Sequence, residues 1–151
     1  MPYRKAVFIL AYTRNKKDIE YLLLKRKLHW EGWEFPKGAI KFLETKKNAV
    51  KRELKEETGL YPIKIKKFDY SGKYEYEKKI PDRPRFKGQS FVLYAVEVKK
   101  PFNRKVKISE IEHSDYKWVN YPKAIKLLRW PNQKESLKIV NDFLKQKALA
   151  S

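Results

Sequence analysis

Residues Gly38 to Leu60 read GAIKFLETKKNAVKRELKEETGL. Within them Glu53, Glu56 and Glu57 stand three and four residues apart, which puts all three carboxylates on one face of a helix. Glu44 precedes Glu53 by nine residues, near the start of the same predicted helix. The chain carries 37 Lys+Arg against 18 Asp+Glu, so a concentration of acids in one short segment is informative.

Spacing alone leaves two readings open. Like charges at these intervals repel, by roughly 0.2–0.5 kcal/mol per pair on an exposed helix. A hard divalent cation reverses that sign, because it takes carboxylate oxygens while keeping waters and substrate phosphates. The alternative is a solvated face in which Lys46, Lys47, Lys51 and Lys55 pair with the acids. Other positions carry their own physics. Gly59 follows the last periodic residue, where a left-handed cap favours glycine. Gly38 allows a close backbone approach. Ala49, Val50 and Leu54 form an apolar stripe that should pack the helix on a sheet.

The segment also resembles the box of the Nudix hydrolases at every specified position: Gly38, Glu44, Arg52-Glu53-Leu54, Glu56-Glu57 and Gly59-Leu60. The resemblance implies a loop–helix–loop in an α/β/α sandwich with a central mixed sheet, and an α/β fold class. It implies that Glu53, Glu56 and Glu57 bind Mg²⁺ or Mn²⁺, with the Gly38 carbonyl as a further ligand. It implies that Arg52 orients carboxylates, and that Glu44 supports the helix and site by a salt bridge.

Composition sets the outer bounds. A chain of 151 residues with 42% hydrophobic and 15% aromatic content is expected to form one globular domain, residues 1–151. Cysteine is absent, which excludes a disulfide scaffold and a thiolate metal site. No run is long enough to span a membrane, and MPYRKAVFILAY lacks a signal peptide's order of regions, so a cytoplasmic location is expected. The formal net charge of +19 predicts attraction to polyanions such as nucleotides or RNA. A lysine-rich thermophile surface or genome bias accounts for such a charge equally well.

Hydrophobic patterning predicts strands over Ala6 to Tyr12 and Glu20 to Arg26, with a polar turn at Asn15 to Asp18. The loop LHWEGWEFPKG leads into the box helix, about Lys46 to Thr58. Ile63 to Tyr70 and Gly72 to Lys78 read as a hairpin about Ser71-Gly72. KKIPDRPRFKG reads as a loop, because Pro81 and Pro84 suit no central strand. Ser90 to Val98 is a strand, and Lys117 to Val119 a short one. Helices are expected from about Pro122 to Leu128 and from Gln133 to Lys147, the latter with Leu137, Val140, Phe143 and Leu144 toward the core.

Two flanking segments narrow the resemblance. WEFPKG (Trp33 to Gly38) and EHSDYKWV (Glu112 to Val119) are similar to segments of the diadenosine tetraphosphate hydrolases. Glu112, His113, Tyr116 and Trp118 fall on that group's positions. A WxFPKG entry also occurs in RNA 5′-pyrophosphohydrolases and decapping enzymes. Candidate substrate contacts are Lys37 for phosphate, Tyr74 and Tyr76 for adenine stacking, Arg83 and Arg85 for a polyphosphate arm, and His113 and Tyr116. Each has a plainer reading as packing or solvated surface, as does Trp33. Glu112 is a candidate metal ligand from outside the box, with Glu110 as a rival.

The expected activity is therefore metal-assisted hydrolysis of a pyrophosphate bond in a nucleoside polyphosphate, with diadenosine tetraphosphate giving ATP and AMP. Glu56 or Glu57 serves as general base, with Glu56 preferred. An RNA 5′ end is the alternative substrate. A catalytically silent nucleotide- or RNA-binding module is a third reading, which the intact box disfavours. No obligate protein partner is inferred.

Overall fold

The computed structural model describes residues 2–15, 18–101 and 105–150. Its first strand, β1 (Tyr3–Arg14), shows why the sheet lies between two layers. Successive side chains of a strand point to opposite faces. Here both sets are apolar: Phe8, Leu10 and Tyr12 enter one core, while Val7, Ile9 and Ala11 enter another. A strand buried on both faces loses the alternation of a half-exposed one.

The remaining elements are β2 (Ile19–Arg26), β3 (Gly32–Glu34), β4 (Lys37–Ala39), α1 (Lys46–Thr58), β5 (Pro62–Glu75), β6 (Gly88–Val98), β7 (His113–Val119), α2 (Tyr121–Leu127) and α3 (Pro131–Ala150). They build a seven-stranded sheet in the order β3-β2-β1-β6-β5, with β4 also paired to β1 and β7 to β2. β1 and β6 run parallel from Tyr3↔Gly88 to Tyr12↔Glu97, and the other pairings are antiparallel. Ala49, Val50 and Leu54 of α1 cover one face. Ala124 of α2 and Leu137, Val140 and Leu144 of α3 cover the other. This is the α/β/α sandwich with a mixed sheet that the box implied.

α1 has the expected limits because both ends are capped. Thr45 Oγ1 accepts a hydrogen bond from the Asn48 N–H at 3.2 Å. Gly59 closes the helix at φ 72°, and its N–H donates to the Lys55 carbonyl. Phe143, expected in the core, is only partly buried at its edge.

Three expectations need correction. No hairpin forms at Ser71-Gly72: β5 is one strand paired with β6 through both halves, with a register shift between Lys67 and Ser71. Gly72 serves close packing here, since a Cβ would come 3.0 Å from the Phe91 ring. The polar Ser-Gly pair mimics a turn without making one. β7 begins at His113 rather than Lys117, because its pairing with β2 continues past an irregularity at Lys25/Arg26. The loop before the box contains β3 and β4, each too short for a period-2 pattern to show. The expected turn at Asn15 to Asp18 includes positions 16 and 17, outside the described residues; at its flanks the Asn15 N–H donates to the Asp18 carbonyl at 3.0 Å.

Candidate active site

Pairing of β4 with β1 sets Gly38 opposite Val7, directly beneath α1. A Cβ at Gly38 would overlap the Glu53 carboxylate, so only glycine lets helix and strand approach this closely. On the same turn of α1, Arg52 gathers the outer acids. Its Nε and Nη2 donate to the two Glu44 oxygens at 2.7 and 2.8 Å, and Nη2 also donates to the Ala39 carbonyl at 2.8 Å. Nη1 donates to Glu53 at 2.7 Å and to Glu56 at 3.2 Å. This two-pronged hydrogen bonding holds the Glu44 pKa down to about 2. Burial pushes Glu53 upward despite Arg52, with Glu56 and Glu112 adding to the effect.

Glu57 points elsewhere, into a buried acid cluster. One ligand atom each of Glu57, Glu112 and His113 lie within 4.8 Å of one another. Beside them Glu34 is fully buried, yet Arg26 Nη1 reaches it at 3.0 Å and Lys37 Nζ at 3.5 Å. Burial opposes its charge, but Lys37, the His113 hydrogen bond and Arg26 outweigh burial and hold the Glu34 pKa to about 2. Glu34 is therefore an acceptor, so His113 Nε2 donates to it at 2.8 Å. In the neutral imidazole this leaves Nδ1 a bare lone pair, and Nδ1 is buried without a hydrogen-bond partner. Burial, and then Glu34, Glu112 and Glu53, push the Glu57 pKa well above the usual carboxylate range. Converging carboxylates beside an imidazole and an unfavourable buried charge together fit a divalent cation.

Next to this cluster lies a cleft of about 500 Å³ on the α3 face of the sheet. Its walls come from β5, the loop after β2, the stretch after β5 and the residues leading into α3. Lys37 and Arg26 belong to both places, since they line the cleft and also contact Glu34. The Lys37 backbone N–H donates to Glu57 at 3.3 Å, while its Nζ donates to the Tyr74 hydroxyl at 3.5 Å. Tyr74 and Tyr76 meet edge to face at 6.3 Å, and Arg83 Nη1 donates to the Tyr76 hydroxyl at 3.2 Å.

The structure thus brings Glu57, Glu112 and His113 together, and Lys37, Tyr74, Tyr76 and Arg83 around the cleft. It gathers Glu44, Glu53 and Glu56 on Arg52 instead, with Gly38 packed against Glu53. Arg85 is exposed and off the cleft wall. Tyr116 packs, partly buried, against the α1-side core. His113 is fully buried rather than on the cleft wall. Glu110 is exposed, away from the acid cluster. Trp33 packs on the α3-side core, with Lys117 Nζ 4.9 Å from its ring centre.

Sequence reasoning missed Glu34, Arg26, Arg4, Trp30, Arg129 and Trp130. Arg4 Nη1 donates to the Gln89 side chain at 3.0 Å, and burial and then Arg83 lower its pKa. Glu34 and Arg26 left a faint signal, as charges at the buried ends of otherwise apolar strands. The aromatic residues left none, because their partners are remote in sequence.

Comparison with known proteins bears on the family and the fold. The family described as NUDIX domain matches residues 2–143. The chain is 33% identical over 122 residues to an RNA pyrophosphohydrolase of a Nitratiruptor species, covering 79% of each protein. It superimposes on the C. elegans Ap4A hydrolase binary complex with a TM-score of 0.74 at 25% identity, covering 95% of this chain and 98% of the other. The NUDIX domain of Shewanella oneidensis NrtR, crystallised with ADP ribose, gives a TM-score of 0.75 at 18% identity over 95% of this chain and 90% of the other, a likeness of fold alone.

Proposed function

This chain belongs to the NUDIX family of hydrolases, and we propose that it cleaves the pyrophosphate linkage of a dinucleoside polyphosphate, with diadenosine tetraphosphate and water giving ATP and AMP. The observation that carries this reading is the junction at Lys37 and Arg26. It joins a buried acid cluster suited to a cation with a cleft lined by aromatic and cationic side chains. Phosphates belong on the acid side of that junction and nucleosides on the other.

Glu57, Glu112 and His113 would hold the cation, with Glu53 and the Gly38 carbonyl adjoining. When bound, Mg²⁺ or Mn²⁺ neutralises charge on the phosphate oxygens and acidifies water. Glu56 takes the proton from the attacking water. Its side chain is 54% exposed, so it reaches solvent, and Arg52 fixes one of its oxygens. Glu57 is too enclosed by other acids for that role and serves as a ligand. Water oxygen bonds to phosphorus, the anhydride P–O bond breaks, and the electron pair leaves with the nucleotide phosphate. Lys37 offsets phosphate charge, while Tyr74, Tyr76 and Arg83 hold a nucleoside and its phosphates.

A second reading, an RNA 5′-pyrophosphohydrolase, draws on the relative from Nitratiruptor and on the +19 charge. The test is side-by-side turnover of diadenosine tetraphosphate and triphosphorylated RNA with Mg²⁺. Faster release of ATP and AMP supports the first reading, and faster release of pyrophosphate from RNA supports the second.

A further inference from the structure

Trp30 and Trp130 have no part in the reading above, yet both line the cleft. Their rings meet edge to face at 5.3 Å and 81°. The Arg129 guanidinium lies 4.6 Å from the Trp130 ring centre and 5.9 Å from that of Trp30. Of the four tryptophans in the chain, Trp118 is buried in one core and Trp33 packs on the other. Trp30 and Trp130 belong to neither core and are only partly buried. Leaving indole surface wet forgoes the gain of burying apolar area, which a stacked ligand recovers.

The frame behind the two rings is stiff. A backbone bridge joins Trp33 to Leu128, so the loop bearing Trp30 is fixed to the segment bearing Trp130. Leu128 is buried, and α3 starts at Pro131. His29, beside Trp30, sits at φ 73°, an uncommon conformation for a residue with a Cβ. Its ring pairs with Asp82 at 2.8 Å, and a Cβ on Gly32 would meet the Trp30 ring at 2.7 Å. Backbone strain of this kind persists where surroundings over-determine it, and it clusters at binding sites.

We propose that Trp30, Trp130 and Arg129 form a stacking subsite for a second nucleobase, so that the enzyme selects substrates in which two bases are linked through phosphates. The inference rests on the proposed activity, and it names what the far part of the cleft reads. Tyr74 and Tyr76 take one base and the tryptophans take the other. Arg129 is exposed and covers Trp130 by cation–π contact. A base that exchanges with it keeps the ring covered and leaves the guanidinium beside the linking phosphates.

The test compares one-base and two-base substrates in two pairs. Adenosine tetraphosphate is set against diadenosine tetraphosphate, and ATP against the triphosphorylated dinucleotide pppApG. Wild-type protein is expected to prefer the two-base member of one pair in kcat/KM, and which pair shows it identifies the source of the second base. Trp130→Ala should cut that preference about tenfold, within the range of base stacking on aromatics. Trp130→Tyr should retain most of it. Equal loss on both members, or no preference in the wild type, overturns the proposal and leaves a packing role. A binding readout separates this from failure of the activity. In Glu57→Gln protein, titrated without turnover, the two-base member of at least one pair should quench tryptophan fluorescence more strongly than its one-base partner. Equal quenching within both pairs overturns the proposal whether or not any substrate is cleaved.

Discussion

The acid cluster and the aromatic cleft share Lys37 and Arg26 but are built in opposite ways. The acids clasped by Arg52 and the ligand Glu57 come from α1 and the loop before it, held on the strand beneath by the close fit of Gly38 on Glu53. Glu112 and His113 join from the turn into β7, and Glu34 from β3. The cleft collects side chains from positions as distant as Phe8 and Gln133. Bond-breaking chemistry therefore rests on one rigid helical segment joined by ligands from the turn into β7, while substrate choice rests on segments that can vary one at a time. If that division holds, substitutions on the acid side should lower kcat and those on the cleft side should raise KM.

The largest effect should come from the acid side. Glu56→Gln is expected to lower kcat by roughly 10²–10⁴-fold, as loss of a general base does, with an unchanged circular dichroism spectrum. Near-normal kcat would move the proton acceptor elsewhere, and Glu57→Gln would be examined next. In stability, Leu54→Ala removes a fully buried side chain beneath the acids and should cost about 2–5 kcal/mol in denaturant unfolding. A loss under about 1 kcal/mol would mean that α1 is less firmly seated than its packing implies.

On the cleft side, Arg83→Met should raise KM by about tenfold or more with kcat nearly unchanged, because a charged hydrogen-bond donor is worth roughly 1.5–3 kcal/mol. A fall in kcat with steady KM would erase the division between the two regions. The smallest effect concerns pH. The Glu44 pKa is lowered in the fold from an ordinary 4.5 to about 2. The stability it contributes is thus present above pH 4.5 and is lost as pH falls from there toward 2. Glu44→Gln should flatten that acid limb of a Tm–pH profile, and an unchanged limb would assign the acid sensitivity to other carboxylates.

The same contrast explains what could be read beforehand. Thr45, Gly59 and the Ala49-Val50-Leu54 stripe determine α1 locally, so its limits were legible. The apolar runs of β1 and β6 likewise announced buried strands. Ser71-Gly72 misled because a turn signal and a close-packing glycine look alike until Phe91 is seen across the sheet. His113 was legible as a candidate, but its pairing with Glu34 across 79 residues was not. The Trp30–Trp130 pair depends on a bridge between β3 and the end of α2, which no local pattern encodes.

The central claim is that the acid cluster performs metal-dependent pyrophosphate hydrolysis on nucleosides held by the cleft. Its most direct test is product analysis after incubation with diadenosine tetraphosphate, with Mg²⁺ and with excess chelator. The account predicts ATP and AMP in equal amounts with Mg²⁺ and neither with chelator. Undiminished cleavage under chelation, or no cleavage of any nucleoside polyphosphate or RNA 5′ end with Mg²⁺, would contradict it.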